Sequence, residues 1–516
     1  MSTAPKQIPG SFAALLRTWR YLFAFIALVL FVGLFYFEED WRGPHAWERY
    51  KKLREAQGER FDAKTFVPPI VPSSENFALT PLLAPLFDFI PGTQKWRNTN
   101  AMGYASGFAP AYDRAAKAIK AVKNERSNSW IVTRIDLPMW REAFLQSTNR
   151  INQPDISVSR EETATAVLAN LKECEDVLAD LREDSQRKYS RFNLRYDNDD
   201  PAAILLPHLA VLKHICLVLQ LRATSELALG KTDEAFSDIN LMLRVADASR
   251  DEPILISHLV RIAMVYLALE PIAEGFGQWS EPQLKVLEQR LQQFDFCADM
   301  KRALEAERVL FGGGIIEFLR REPEKYEMLQ ENGVNALPGA IWSAVPNGWF
   351  DLEKANYNRL FDEFITPSID VANRRISPSV CQAAEKKMAA VLNKSRLSLF
   401  FRHRAFCSLL LPGSLGVSRK TAFGQTAVDT AAIACAIERY KLAHGALPES
   451  LEALVPQFID KLPHDLIDGR PLRYQRTANG HYAIYSVGWN EKDDGGVAGY
   501  KKGEHDLPEE GDWVWR

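Results

Sequence analysis

What this chain lacks narrows its function more than what it contains. There is no long basic block: 63 Lys and Arg stand against 66 Asp and Glu, a net charge of −3. The electrostatic footprint of a nucleic-acid binder is therefore missing. No CxxC or CxxH spacing offers a zinc site. The six cysteines (Cys174, Cys216, Cys297, Cys381, Cys407 and Cys435) lie scattered, several among apolar neighbours, and read as buried free thiols. A disulfide would need an oxidising compartment, and no pairing follows from the spacing. HExxH and GxSxG are absent. Gly312-Gly313-Gly314 has neither the lysine nor the hydroxyl residue of a phosphate loop, so it reads as a place where helices approach or bend.

Several other clusters are explained without chemistry. Asp197-Asn198-Asp199-Asp200 begins like a calcium loop, but Ala202 and His208 stand where the sixth-position glycine and twelfth-position glutamate belong. His208 and His214, six apart, fall on different sides of a helix, as do Glu305 and Glu307. Trp342 to Phe364 is rich in aromatics, which could line a groove; packing between helices is the plainer reading.

One long hydrophobic run is present. Tyr21 to Phe37 holds seventeen residues without a charge, roughly 25 Å as a helix, at the short end for a bilayer. Lys6, Arg17 and Arg20 precede it, and Glu38, Glu39 and Asp40 follow. The positive-inside rule then puts residues 1–20 in the cytoplasm and the bulk outside, as in a single-pass protein of the bacterial inner membrane. No small-x-small site follows the run, so an uncleaved signal anchor is expected over a signal peptide. A second short helix is expected near the headgroups, from Pro44 through Trp47, Tyr50 and Leu53 to Gly58.

At 516 residues the chain has room for two or three domains. Within residues 38–104, prolines between 67 and 92 forbid long helices. An arm is expected there, docking Phe77, Leu79, Leu82, Leu83, Leu86 and Phe87. Residues 105–415 read as a helical body. Arg160 to Arg182 has helical spacing behind a Ser159/Glu162 capping box. Pro207 should kink or restart the helix that Asp200-Pro201 opens. Ala223 to Asp247 resembles one tetratricopeptide helix pair turning at Leu229-Gly230, too little to establish an array. Ser280-Glu281-Pro282 begins another helix.

Residues 420–516 form a third segment. Gln425 to Leu442 carries small residues at Ala427, Ala431, Ala432 and Cys435, and Gly445 stops it. Leu472–Arg476 and Tyr482–Val487 alternate like strands around Asn479-Gly480. Trp513-Val514-Trp515 offers a third strand. His464-Asp465 and Asp468-Gly469 are turn signals.

The order Tyr440-Lys441-Leu442, Gly445, Pro448, Leu451, Leu454-Val455, then Ser486-Val487-Gly488-Trp489-Asn490 and a glycine pair resembles the globular half of the type II secretion major pseudopilin. That resemblance implies a loop wrapped around calcium. The carbonyl of Val487, Asn490 in place of the family's first aspartate, and Asp512 would be ligands, with Asp493 and Asp494 making up the charge. Eight acidic residues lie between Asn490 and Asp512 against three lysines, a supply of oxygens suited to calcium. The alternative is a solvated loop held by Trp489, Trp513 and Trp515. At the N-terminus the chain departs from pilins: Gly10 is followed by Ser11-Phe12, and Arg17 and Arg20 interrupt the apolar stretch. The whole chain also resembles a family of bacterial membrane-anchored proteins that share the anchor, the Trp41-Arg42-Gly43 segment, a helical body and this ending.

The expected fold is mainly α: one transmembrane helix, a helical-hairpin body and a small α+β pseudopilin-like module with antiparallel strands. The expected function is an interaction or scaffold role in the cell envelope, with protein partners there. An envelope enzyme with a site in the helical body, and a periplasmic binding or sensory module, remain alternatives.

Overall fold

The computed structural model describes residues 10–123, 135–147, 158–196, 200–326, 339–477, 480–499 and 507–515. The start of the basic tail, Asp197 to Asp199 and Asn479 lie outside the described residues. The chain is mainly helical and divides into two compact units that cut across the expected boundaries. One comprises residues 1–62, 312–362 and 388–413. The other comprises 63–311, 363–387 and 414–516. The expected body of 105–415 is thus shared between two units, and the expected C-terminal module is part of the larger one.

The first unit is organised by one helix, Gly10–Glu55. Residues 19–34 are exposed throughout, making this helix a candidate membrane span. The separate interfacial helix expected at Pro44 does not form, because the long helix runs straight through that proline. It is held there by close backbone contact with the helix Asn347–Phe364. A Cβ on Gly43 would lie 2.0 Å from the Gly348 carbonyl oxygen, and one on Gly348 would lie 2.0 Å from that of Glu39. Asp40 accepts the Gly348 N–H at 2.8 Å, placing a carboxylate on the positive end of that helix. Beyond the crossing, Trp47 and Tyr50 are buried with Ala355, and the Lys354 ammonium sits 4.5 Å over the Trp47 ring. Leu53, expected on the same face, is exposed. The aromatic segment after Trp342 packs as core: Trp342 stacks on Phe406 at 4.6 Å, and Gly312 leaves room for the Tyr357 ring.

The second unit is built from helical hairpins. Helix Pro207–Ala228 starts at its proline, the restart rather than the kink of the two expected outcomes, and turns at Gly230 (φ +69°) into Thr232–Asp247. Leu255–Glu274 packs against both. The Ser159/Glu162 capping box is formed, but the expected helix to Arg182 breaks into Arg160–Leu171 and Glu175–Asp184 around a tight turn at 172–174. Two of these helices, within 201–228 and 255–274, are apolar enough to cross a bilayer. Here they are core elements, carrying Arg222 and Arg261 in ion pairs. Fully buried Asp238 binds both Arg182 (2.5 Å) and Arg222 (2.9 Å). Arg261 joins Asp299 (2.5 Å) to Asp247 (2.8 Å). The proline-rich arm docks through Phe77, Leu82, Leu83, Leu86 and Phe87, while Leu79 stays exposed. All six cysteines are buried and free.

Helix Val417–His444 returns from the far end of the chain into the middle of this unit, against Leu255–Glu274, Glu281–Gln292 and Phe296–Ala306. Ala431, Ala432, Ala434, Cys435 and Ala436 have at most 1% exposure, so their small side chains are what admits neighbours on every side. The expectation of a separate module fails here for that reason: this helix is the axis of the helical body. Gln425 accepts the Phe296 N–H and donates to the Phe294 carbonyl, and Arg439 reaches Glu281, Glu288 and the Phe458 carbonyl. A ribbon of β1 (Ile369–Asp370) and β2 (Arg375–Ile376) and a sheet of β3 (Arg473–Arg476), β4 (Tyr482–Ser486) and β5 (Trp513–Trp515) complete the unit. The sheet is antiparallel with β4 in the middle; Tyr474 faces Ile484, which faces Trp515.

Gly348→Ala is expected to force the two crossed backbones apart and to destabilise the first unit by at least about 1–3 kcal/mol. Gly33→Ala, whose new Cβ meets nothing within 4 Å, should be silent. Urea unfolding of the detergent-solubilised full chain, followed by tryptophan fluorescence, checks both.

Candidate functional site

The C-terminal loop is organised by two buried aspartates rather than by a common centre. Asp465 accepts four hydrogen bonds: from the Ile467 N–H (2.9 Å), the Ser486 hydroxyl (2.8 Å), the Val487 N–H (3.0 Å) and the Arg473 guanidinium (2.8 Å). This pins the end of β4 to the preceding turn. Burial raises its carboxyl above the ordinary range, opposed by the N–H and hydroxyl donors. His464 points elsewhere, to the carbonyls of Asn373 and Arg374, so the two neighbours make no catalytic pair.

Asp512, fully buried just before β5, accepts the Asp494 N–H (3.1 Å) and the Gly496 N–H (2.6 Å). The loop is thereby folded back on the last strand. Gly488 (φ +67°) permits this, because a Cβ there would lie 2.3 Å from the Gly511 carbonyl oxygen. Trp489 and Trp513 stack beside it at 6.4 Å, and Trp515 lies 6.3 Å from Phe276.

The five residues named for calcium fall into two groups. Asn490, Asp494 and Asp512 are linked: the Asn490 side-chain NH2 donates to Asp494 (2.9 Å) and to Glu510 (3.4 Å), and Asp494 donates its N–H to Asp512. Val487 and Asp493 face Asp465 and Arg473. Val487 engages through its N–H, and an Asp493 oxygen lies 3.5 Å from the Arg473 guanidinium. In this arrangement the carboxylate oxygens serve N–H groups and an arginine, and Asn490 donates its NH2 to carboxylates while its oxygen accepts the Lys492 N–H at 3.1 Å. Among the described residues, no three His, Cys, Asp or Glu side chains stand together as a metal site. The donor set does not fit a calcium shell as it stands.

Beside the loop is a cleft of about 310 Å³ lined by Gln382, Glu385, Lys386, Gly416, Arg419, Trp489 and Glu509. It opens at the N-terminus of the central helix, where Gly416 takes a left-handed conformation (φ +75°), and Arg419 bridges it to Glu509 at 2.5 Å. Both signs of charge and an indole edge suit a polar chain with an apolar side group. Trp489 alone was picked out by the sequence. Five of the other wall residues come from segments 70 to 107 positions before it and Glu509 from 20 positions after it, and no local pattern marks them.

Elsewhere among the described residues, several ionisable groups are tied into the packing. His208 is stacked on Phe192 at 4.1 Å, with its Nε2 2.7 Å from Glu252. Glu252 in turn accepts the Ser257 hydroxyl at 2.5 Å. The carboxylate stands between hydroxyl and imidazole, an order different from the serine–histidine–carboxylate order of a catalytic triad. His214 meets Asp113 instead (3.1 Å). Glu307 is half-buried in a π-helical turn, Glu307–Gly313, where desolvation pushes its carboxyl up to about 7; Glu305 lies beside Lys301. In the first unit, fully buried Glu353 accepts the N–H groups of Ala405 (2.9 Å) and Phe406 (3.1 Å), capping a short helix.

Comparison with known protein families, with curated proteins and with solved structures finds no match to this chain.

Asp512→Ala should leave two N–H groups without their acceptor and cost about 1–3 kcal/mol. A calcium chelator should leave the melting temperature of the unaltered chain unchanged. Thermal melts of both proteins, with and without chelator, check this. Burial pushes the Glu353 carboxyl up from an ordinary 4.5 to about 8. The folded chain therefore keeps a proton that the unfolded chain releases, and stability falls as pH rises from about 4.5 through about 8. Urea titrations at several pH values should show a shallower fall, by one proton, in Glu353→Gln.

Proposed function

We propose that this chain is a single-pass membrane protein whose bulk lies outside the cytoplasm and acts as a rigidly mounted interaction platform in the cell envelope. One observation carries the reading. The exposed apolar stretch and the buried stretch at Trp47 and Tyr50 belong to the same unbroken helix. A tether that only retained a protein at a membrane would work as a flexible linker. A continuous helix docked onto the first unit through touching glycines fixes that unit's attitude to the bilayer, which matters when partners must meet in a set geometry.

The orientation rests on the basic residues before the span and the acidic ones after it. A binding role for a solute or peptide is the second reading, favoured by the cleft at Trp489. A link to secretion comes from the pseudopilin resemblance of residues 420–516, a likeness of pattern that weighs little for function. The calcium of that resemblance has less behind it, given how the Asp512 and Asn490 side chains are engaged.

Fusions at the C-terminus test the topology. Alkaline phosphatase placed after Arg516 is expected to be active, and a fluorescent protein that folds only in the cytoplasm is expected to be dark. The opposite pair of results, or release of the chain from membranes by alkaline carbonate, would sink the proposal.

A further inference from the structure

The geometry points to a second membrane contact, in which the short helix Arg396–Phe401 and its flanks lie in the headgroup region beside the anchor. This rests on the anchor reading above and adds to it a surface outside the span. The helix leaves Leu397 62% and Phe401 67% exposed, an unusual state for two large apolar side chains one turn apart on a soluble surface. Their position explains it. The last turn of the apolar run is in contact with this part of the unit: Phe35 lies 6.0 Å from the Trp349 ring, and the Tyr36 hydroxyl donates to the Ala344 carbonyl. Trp349 lies 4.7 Å from Phe400, which lies 5.4 Å from Phe401. A chain of ring contacts thus leads from the end of the span to the exposed residues. Ile341, one turn before Ala344, and Trp41, one turn past Phe37, are exposed too.

Charge agrees with this placement. Lys394, Arg396 and Arg402 are exposed around Leu397 and Phe401, the composition of an interfacial helix on anionic lipid. The acidic residues at the span's exit are already engaged. Glu38 and Glu39 pair with Arg42 at 3.4 and 2.5 Å, and Asp40 caps Gly348. They therefore oppose an anionic surface less than their number implies. Height also separates this patch from the rest of the unit. The helix Asn347–Phe364 runs alongside the anchor away from the span, with Asp362 at Arg54 (2.8 Å). Tyr50, which bonds Asp362, lies roughly 20 Å beyond Phe37 along the anchor.

Spin labels on the full chain test the contact. All six native cysteines are buried, so labels go to introduced ones: Leu397→Cys and Phe401→Cys on the patch, Val29→Cys in the span, and Arg359→Cys as the aqueous reference. In proteoliposomes of phosphatidylethanolamine and phosphatidylglycerol, labels at 397 and 401 should favour oxygen over a water-soluble nickel chelate several-fold more than the label at 359. If 397 and 401 behave like 359 while 29 reads as lipid, the second contact is refuted and the anchor stands. If 29 also reads as water, the anchor itself falls and this inference with it. Label–label broadening at 401 that vanishes on dilution with unlabelled protein would give the patch to a second copy of the chain instead, and overturn the lipid assignment.

Discussion

The larger unit depends on one constraint: the helix Val417–His444 is enclosed by other structure on nearly all of its length. Nineteen of its residues, from Val417 to Arg439, are buried. A helix so enclosed cannot be amphipathic, and this one is not. Its apolar positions include the small residues Ala431, Ala432, Ala434, Cys435 and Ala436, and Gln425, Asp429, Glu438 and Arg439 are each tied to a partner. Asp429 meets Arg374 at 2.9 Å, which connects the helix to the β1–β2 ribbon. Gln425 fixes the segment between the helices Glu281–Gln292 and Phe296–Ala306. At Gly424 an added Cβ would come within 2.4 Å of an Ile262 methyl group, so the spacing to the helix Leu255–Glu274 is set by a missing side chain. Removing a partner from such a helix strands a buried polar group, which is costlier than losing a surface contact.

The smaller unit solves a related problem differently. Its long helix is apolar and exposed on all sides over the candidate span and selective where it meets protein. The change happens within one turn. Glu39 is buried and bound to Arg42, Asp40 caps a neighbouring helix, and Gly43 touches backbone. Ordinarily a proline at position 44 would end a helix or kink it. Continuous packing on both sides of it, with Gly348 before and Trp47 after, keeps the axis in place. Two glycines far apart in sequence thus do what no local signal announces.

This contrast explains what could be read from the chain beforehand. The apolar run at 21–37, the capping box at Ser159, the turn at Gly230, the restart at Pro207 and the three C-terminal strands are legible because each rests on residues within a few positions of one another. The small-residue face of 425–442 was also plain. Its destination was not, since alanines say that neighbours come close without saying which. The same limit hid the continuity through Pro44, the twin roles of Asp465 and Asp512, and the wall of the cleft. His464-Asp465 looked like a turn and is one, but the side chain of Asp465 also closes the sheet through Ser486 and Val487, residues about twenty positions on.

The central helix also sets a timetable. The hairpins of the larger unit are made by residue 311, whereas their axis begins at 417 and the closing strand at 513. A ribosome adding roughly 5–20 residues per second needs on the order of 5–20 s to bridge the first gap alone. During that interval the faces of Leu255–Glu274 and Glu281–Gln292 that will receive the helix are synthesised but unsealed. Since the axis arrives so late, folding of this unit cannot proceed hairpin by hairpin to completion; it waits for Val417–His444 and the strand Trp513–Trp515. A chain truncated before residue 417 would be an open half-core, marked by its own exposed surface for chaperones and proteases.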